Sequence, residues 1–103
     1  MLEVKQIEKY SEVLDRVYGQ LLLKPIDRKS GKPTIIFYLI DRHGMKRLLF
    51  NQKNQELIVL DYDYHKILKI LQITYKEFVI LIRAWISAKF NLKIASIQIY
   101  PTI

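Results

Sequence analysis

Between residues 2 and 23, apolar side chains recur at steps of three and four: Val4, Ile7, Tyr10, Leu14, Val17 and Leu21. That spacing draws one stripe along a helix and predicts an amphipathic α-helix with a charged opposite side. On that side Glu8 with Glu12, and Glu12 with Arg16, stand at helical-neighbour spacing, as expected of a solvated face. Gly19 costs a helix roughly 1 kcal/mol relative to Ala, so the last turn, running to Leu23, is expected to fray or bend.

The pattern then changes. Lys24 to Pro33 is polar, with a proline near each end and Gly31 inside, and reads as a loop. Thr34 to Ile40 is a continuous β-branched, aromatic and aliphatic run, the mark of a central strand covered on both faces. Asp41 to Gly44 is a turn in which Gly44 is free to take positive φ, and Met45 to Asn51 returns as the second strand of a hairpin. After the polar Gln52 to Gln55, where Asn54 tolerates left-handed geometry, Glu56 to Tyr62 predicts a third strand and completes an antiparallel meander.

Helical periodicity resumes with Tyr64, Ile67, Leu68 and Leu71 on one face of a short helix that Asp61 or Asp63 would cap and that ends near Gln72. Thr74 and Glu77 have the spacing of a capping box directly before an apolar run. The helix so started, Tyr75 to Phe90, is apolar around most of its circumference and must be largely buried. Asn91 ends it, and Ile97 and Ile99 alternate with Ser96 and Gln98 in a final strand stopped by Pro101. The expected order is α-β-β-β-α-α-β: an α+β fold in which helices pack on a three-stranded antiparallel meander, with the C-terminal strand either joining it in parallel or pairing in another subunit.

With 103 residues, one core and one domain spanning 1–103 are expected. Half of the residues are apolar and 26 % charged, the balance of a folded protein. The absence of cysteine excludes disulfides and thiolate metal sites and favours a cytoplasmic, intracellular setting. The N-terminus alternates charged and apolar residues rather than forming a signal peptide, and the run from Phe78 to Ile82 falls far short of the roughly 20 residues that cross a bilayer, so no membrane is expected among the partners.

Charge is the feature that bears on function. The net contributions of residues 1–23, 24–53 and 54–103 are −1, +6 and +2. Lys24, Arg28, Lys29 and Lys32 belong to the expected loop, while Arg42, Lys46, Arg47 and Lys53 mark the hairpin and its exit. If these segments converge at one edge of the sheet, they neutralise several phosphates and give sequence-independent affinity that falls steeply with salt. Phe37, Tyr38 and Phe50 fall inside apolar strand runs, where core packing is the expected use, so phosphate contact is favoured over base contact.

Two resemblances rest on short stretches. Leu68 to Phe78 is similar to a helix-turn-helix in its spacing of short helix, tight turn and capped second helix. It departs from that motif where Gln72 stands in place of the turn glycine and where Val79 and Ile80 would face a DNA groove. The element order is also similar to the core of restriction-endonuclease-like nucleases, which would imply metal-binding carboxylates at strand ends beside a lysine. Asp41, Glu56, Asp61 and Asp63 are available, but no strand carries an acidic residue, one spacer and a lysine; Asp27, Arg28 and Lys29 have that spacing only in the loop.

His43 and His65 have no second His or Cys at ligand spacing, and Asp61, Asp63 and His65 alternate in a way that helix capping explains. Neither a cofactor nor a metal is expected. Apolar residues in excess of what so short a chain readily hides single out Trp85, Tyr100 and Ile103 as interface candidates. The expectation is a non-enzymatic protein that binds nucleic acid through phosphate contacts from the 24–33 loop and the 41–47 hairpin. The alternative is a protein–protein interaction or inhibitor module that docks on an acidic partner and can form a homodimer.

Overall fold

The first helix stops at Gly19 and does not run on to Leu23. In a computed structural model, which describes residues 2–26, 36–60 and 64–100, α1 spans Val4–Tyr18 and Gly19 follows at φ 68°, ψ −152°, its N–H donating to the Asp15 carbonyl at 3.0 Å. Side chains other than glycine's rarely occupy that backbone region. The chain leaves it extended, and Leu22–Pro25 forms an edge strand, β1, antiparallel to β2 (Ile36–Ile40), with Leu22 opposite Ile40 and Pro25 opposite Phe37. The expected last helical turn and the start of the expected loop are thus strand. Leu21, Leu22 and Leu23 form a short apolar run that suits either state, and the backbone at Gly19 decides between them. Residues 27–33 of the expected loop lie outside the described residues.

The meander continues through β3 (Lys46–Asn51) and β4 (Glu56–Val59), both antiparallel to their predecessors, and β5 (Ser96–Ile99) joins parallel to β4. Strand order in the sheet follows chain order, β1 to β5. Two helices, α2 (Tyr64–Leu71) and α3 (Tyr75–Phe90), carry the chain across to β5. The α+β class, the meander and the helices on the sheet are therefore as the periodicity indicates, and the last strand pairs within the chain.

Local chemistry explains the boundaries. Glu77 donates its backbone N–H to Thr74 Oγ1 at 3.2 Å, and its carboxylate accepts the Thr74 N–H at 2.9 Å, so α3 starts on the expected capping box. That hydrogen bond to the Thr74 N–H holds the Glu77 carboxyl below its ordinary pKa. Asn91 closes the helix in the left-handed region. In the β3–β4 turn the positive φ belongs to Gln55, not Asn54; Asn54 accepts the Glu56 N–H through its side chain at 3.2 Å. An Asx side chain that caps the turn leaves its neighbour to take the left-handed conformation.

The core lies on one side of the sheet. Leu39, Leu48, Phe50, Leu57 and Val59 are at most 2 % exposed and form one cluster with Leu14 and Tyr18 of α1 and with Phe78, Leu81, Ile82, Trp85 and Ile86 of α3. Tyr18 and Trp85 stack with ring centroids 5.3 Å apart, and Trp85 Nε1 donates to Asp15 Oδ1 at 2.9 Å. The expectation that both faces are covered near Ile35 to Ile40 does not hold for the described strand. Ile36, Tyr38 and Ile40 alternate with Phe37 and Leu39, are only half-buried, and stand outside the core cluster. A run apolar in both phases of its alternation looks doubly covered, yet the core residues of the described helices all meet one face.

Replacing Gly19 with Ala is expected to cost about 1–3 kcal/mol, since the conformation is strained for any L side chain and an added Cβ would come 3.1 Å from Cδ of Arg42. Gly44→Ala, at φ 79° with nothing within 4 Å of an added Cβ, should cost less. Thermal or urea unfolding of the two variants checks the order.

Candidate nucleic-acid interface

The expected cationic turn is built around a carboxylate. Asp41, 5 % exposed, accepts the N–H of His43 at 2.8 Å and of Met45 at 3.0 Å on Oδ1, while Arg47 Nε donates to Oδ2 at 2.9 Å. Burial by itself raises this carboxyl's pKa, but the backbone donors of Met45 and His43, together with the hydrogen bond and charge of Arg47, outweigh it and hold the pKa below the ordinary value. Both oxygens are engaged inside the protein, so Asp41 is a structural residue of the turn and offers no free edge to a metal.

The cations expected to act together separate into distinct places. Arg47 stands at a register irregularity where β2 and β3 slip by one residue, and its guanidinium, bonded to Asp41, also lies 5.6 Å from the centre of the Tyr18 ring. It thus faces the helix-covered side and serves the turn. Lys46 faces the other way, with Nζ 4.5 Å from the centre of the Tyr38 ring. Arg42 packs on Gly19 and donates from Nε to His43 Nε2 at 3.3 Å. Lys24 lies mid-strand in β1, opposite Tyr38.

Lys24 and Arg42 line one open groove of about 420 Å³ together with Leu22, Leu23, Ile40, Asp41 and Gly44. Strand geometry puts their backbones roughly 13 Å apart, within the combined reach of two long side chains. Lys53 belongs elsewhere: it follows β3 in the β3–β4 turn, roughly 17 Å of strand away from Lys46. Arg28, Lys29 and Lys32 lie outside the described residues. The structure therefore brings Lys24 and Arg42 to one groove, with Lys46 across from the groove residue Ile40, and does not bring Lys53 to them.

One residue of this face was hidden in the sequence. Tyr38 sits on the face away from the helices, in a row across the sheet that runs Lys24, Tyr38, Leu49, Ile58 and Gln98. Phe50 lies in the core and Phe37 packs against it, as expected for strand aromatics. Only alternation separates Tyr38 from Phe37, and alternation names two faces without saying which one is covered.

The other candidates are placed as follows. The helix-turn-helix-like segment has Gln72 at φ 55°, so Gln takes the left-handed position usually given to glycine. Its second helix, α3, is the main core helix, with Phe78, Leu81, Ile82, Trp85 and Ile86 buried and a narrow exposed strip at Lys76, Ile80 and Arg83. Among the described residues no group of three or more His, Asp or Glu is gathered to hold a metal; Asp61 and Asp63 are outside them. Of the interface candidates, Trp85 is 4 % exposed within the chain itself, Tyr100 is 56 % exposed, and Ile103 is outside the described residues. No described helix is long and apolar enough to cross a membrane.

In comparisons with family models, curated proteins and solved structures, nothing matches this chain.

The lowered pKa of Asp41 gives a pH test. Its stabilising contribution is present above the unfolded carboxyl's value of about 3.9 and is lost as pH falls through the lower folded value. Asp41→Asn should therefore melt below the wild type at pH 7, and the gap should close as pH drops below about 4. Melting curves of the two proteins from pH 7 down to about 2 check this; curves that stay parallel would count against it.

Proposed function

We propose that the protein binds nucleic acid, without catalysis, through phosphate contacts made by the cations at the β1–β2–β3 end of the sheet. The observation that carries this reading is the grouping of Lys24 and Arg42 in one groove with Lys46 beside it, in the segment that holds +6 of the chain's net charge of +7. Among the described residues none of these three is ion-paired, in contrast to Arg47 with Asp41 and Lys89 with Asp15. Cations left without carboxylate partners on one surface are free to replace the counterions of a polyphosphate. Arg28, Lys29 and Lys32 add charge to the same part of the chain.

Catalysis is left out of the proposal for a specific reason. Asp41, the carboxylate that lines the same groove, has both oxygens bonded within the β2–β3 turn and its exit. An acidic protein would meet the same cations, but it would not release the condensed counterions whose loss gives nucleic-acid binding its steep salt dependence.

Changing Lys24, Arg42 and Lys46 together to Gln is expected to weaken binding to DNA or RNA at low salt and to reduce the slope of log affinity against log salt by about 2 to 3. Fluorescence anisotropy over a salt series measures both. Arg47 stays unchanged in this variant because it holds Asp41. Binding that survives with the same slope, or no binding by the wild type, rejects the proposal.

A further inference from the structure

The sheet face away from the described helices carries more than cations. Tyr38 is half-buried there, with Lys24 opposite it on β1, Leu49 opposite it on β3, and the Lys46 ammonium 4.5 Å from its ring centre. On the same face Ile40 follows it along β2, and Leu49 and then Ile58 lie across the sheet from it, all half-buried, while Leu22 at the sheet edge is 60 % exposed. Resting on the reading above, we infer that this face is a single-stranded DNA platform on which Tyr38 stacks a base while Lys24, Lys46 and Arg42 hold the flanking phosphates.

Three features choose this occupant. An aromatic ring set into a sheet face reaches the flat side of a base only when the base is unstacked from its neighbours, which a duplex does not allow without opening. The ammonium of Lys46 reaches over the ring and so stands on the face itself. A second copy packed sheet to sheet would bury that charge against apolar side chains, at a cost that only a paired anion removes; a phosphate beside a stacked base supplies the anion. Beside Tyr38, Ile40 and Leu49 are aliphatic and the two lysines, Lys24 and Lys46, are assigned to phosphates, which leaves no side chain to read a 2′-hydroxyl, so deoxyribose is favoured over ribose. Glu56, on the same face near the opposite end of β4, repels the backbone there and keeps the strand toward the Lys24 and Lys46 end.

The test uses the full chain and fluorescein-labelled thymidine homopolymer of about 15 nucleotides, a length suited to one small binding face. The matching uridine polymer and a duplex serve as competitors. Tyr38→Leu keeps apolar cover and removes the ring, and Tyr38→Phe keeps the ring; melting curves confirm that both fold. The expected result is preference for the DNA single strand, a loss of about 5- to 100-fold for Tyr38→Leu, and near wild-type binding for Tyr38→Phe. Equal affinity for duplex and single strand, with Tyr38→Leu unchanged and the Lys24, Arg42 and Lys46 variant weakened, overturns the platform and leaves phosphate binding standing. Equal affinity for the uridine polymer overturns the choice of DNA. Sedimentation that shows a wild-type dimer broken by Tyr38→Leu, without DNA binding, assigns the face to a second copy and overturns the inference. No binding to any nucleic acid removes both this inference and the function on which it rests.

Discussion

The structure depends on packing the most apolar helix against one side of a five-stranded sheet. The α3 side chains Phe78, Leu81, Ile82 and Ile86 are fully buried, and they meet Leu39, Leu48, Leu57 and Val59. Burying side chains of this size is worth roughly 1.5–3 kcal/mol each, more than any surface contact in the molecule. Because α1 adds Leu14 and Tyr18 to the same cluster, both long helices are committed to one face. The opposite face is left without a described helix, and its apolar residues are half-buried.

Asp41 connects the core to that surface. Its carboxylate orders the β2–β3 turn through two backbone N–H groups, and Arg47, bonded to the other oxygen, reaches the Tyr18 ring of α1. The register slip between Leu39 and Ile40 turns Arg47 toward the helices and leaves Lys46 on the other side with Tyr38. Two adjacent basic residues thus have opposite fates, one neutralised in the frame and one standing over an aromatic ring. Gly19 belongs to the same device, since its lack of a side chain makes room for the stem of Arg42 at the mouth of the groove.

Much of this was legible in the residues. The capping pair Thr74 and Glu77, the apolar circumference of Tyr75 to Phe90 and the glycine of the Asp41 turn each have one physical meaning, and their elements form with the expected bounds or close to them. The first helix and β1 were not separable, because Leu21 to Leu23 satisfies both periods and the deciding fact is a backbone angle at Gly19. The site was legible only as composition: the +6 segment is plain in the sequence, but Lys46 and Arg47 are neighbours with identical charge, and only the slip in strand register separates them. Tyr38 was hidden because a strand apolar in both phases carries no mark of which phase faces helices.

Apolar side chains on a face without a described helix invite association, and the cations there admit a reading as solubility devices. Lys24 and Pro25 on the edge strand β1 fit that reading, since a charge and a residue without N–H on an exposed edge discourage pairing with another chain. Lys46 fits it less well. A lysine serving solubility keeps its ammonium in bulk water while its stem covers apolar surface, whereas this one places Nζ over the Tyr38 ring. There the ring's quadrupole attracts it. A charge positioned in this way loses less freedom when an anion binds than one waving from a loop, and in turning from the ring to an anion it uncovers the aromatic beneath. Solubility requires only that charge be present, and it does not call for an ammonium set over a ring.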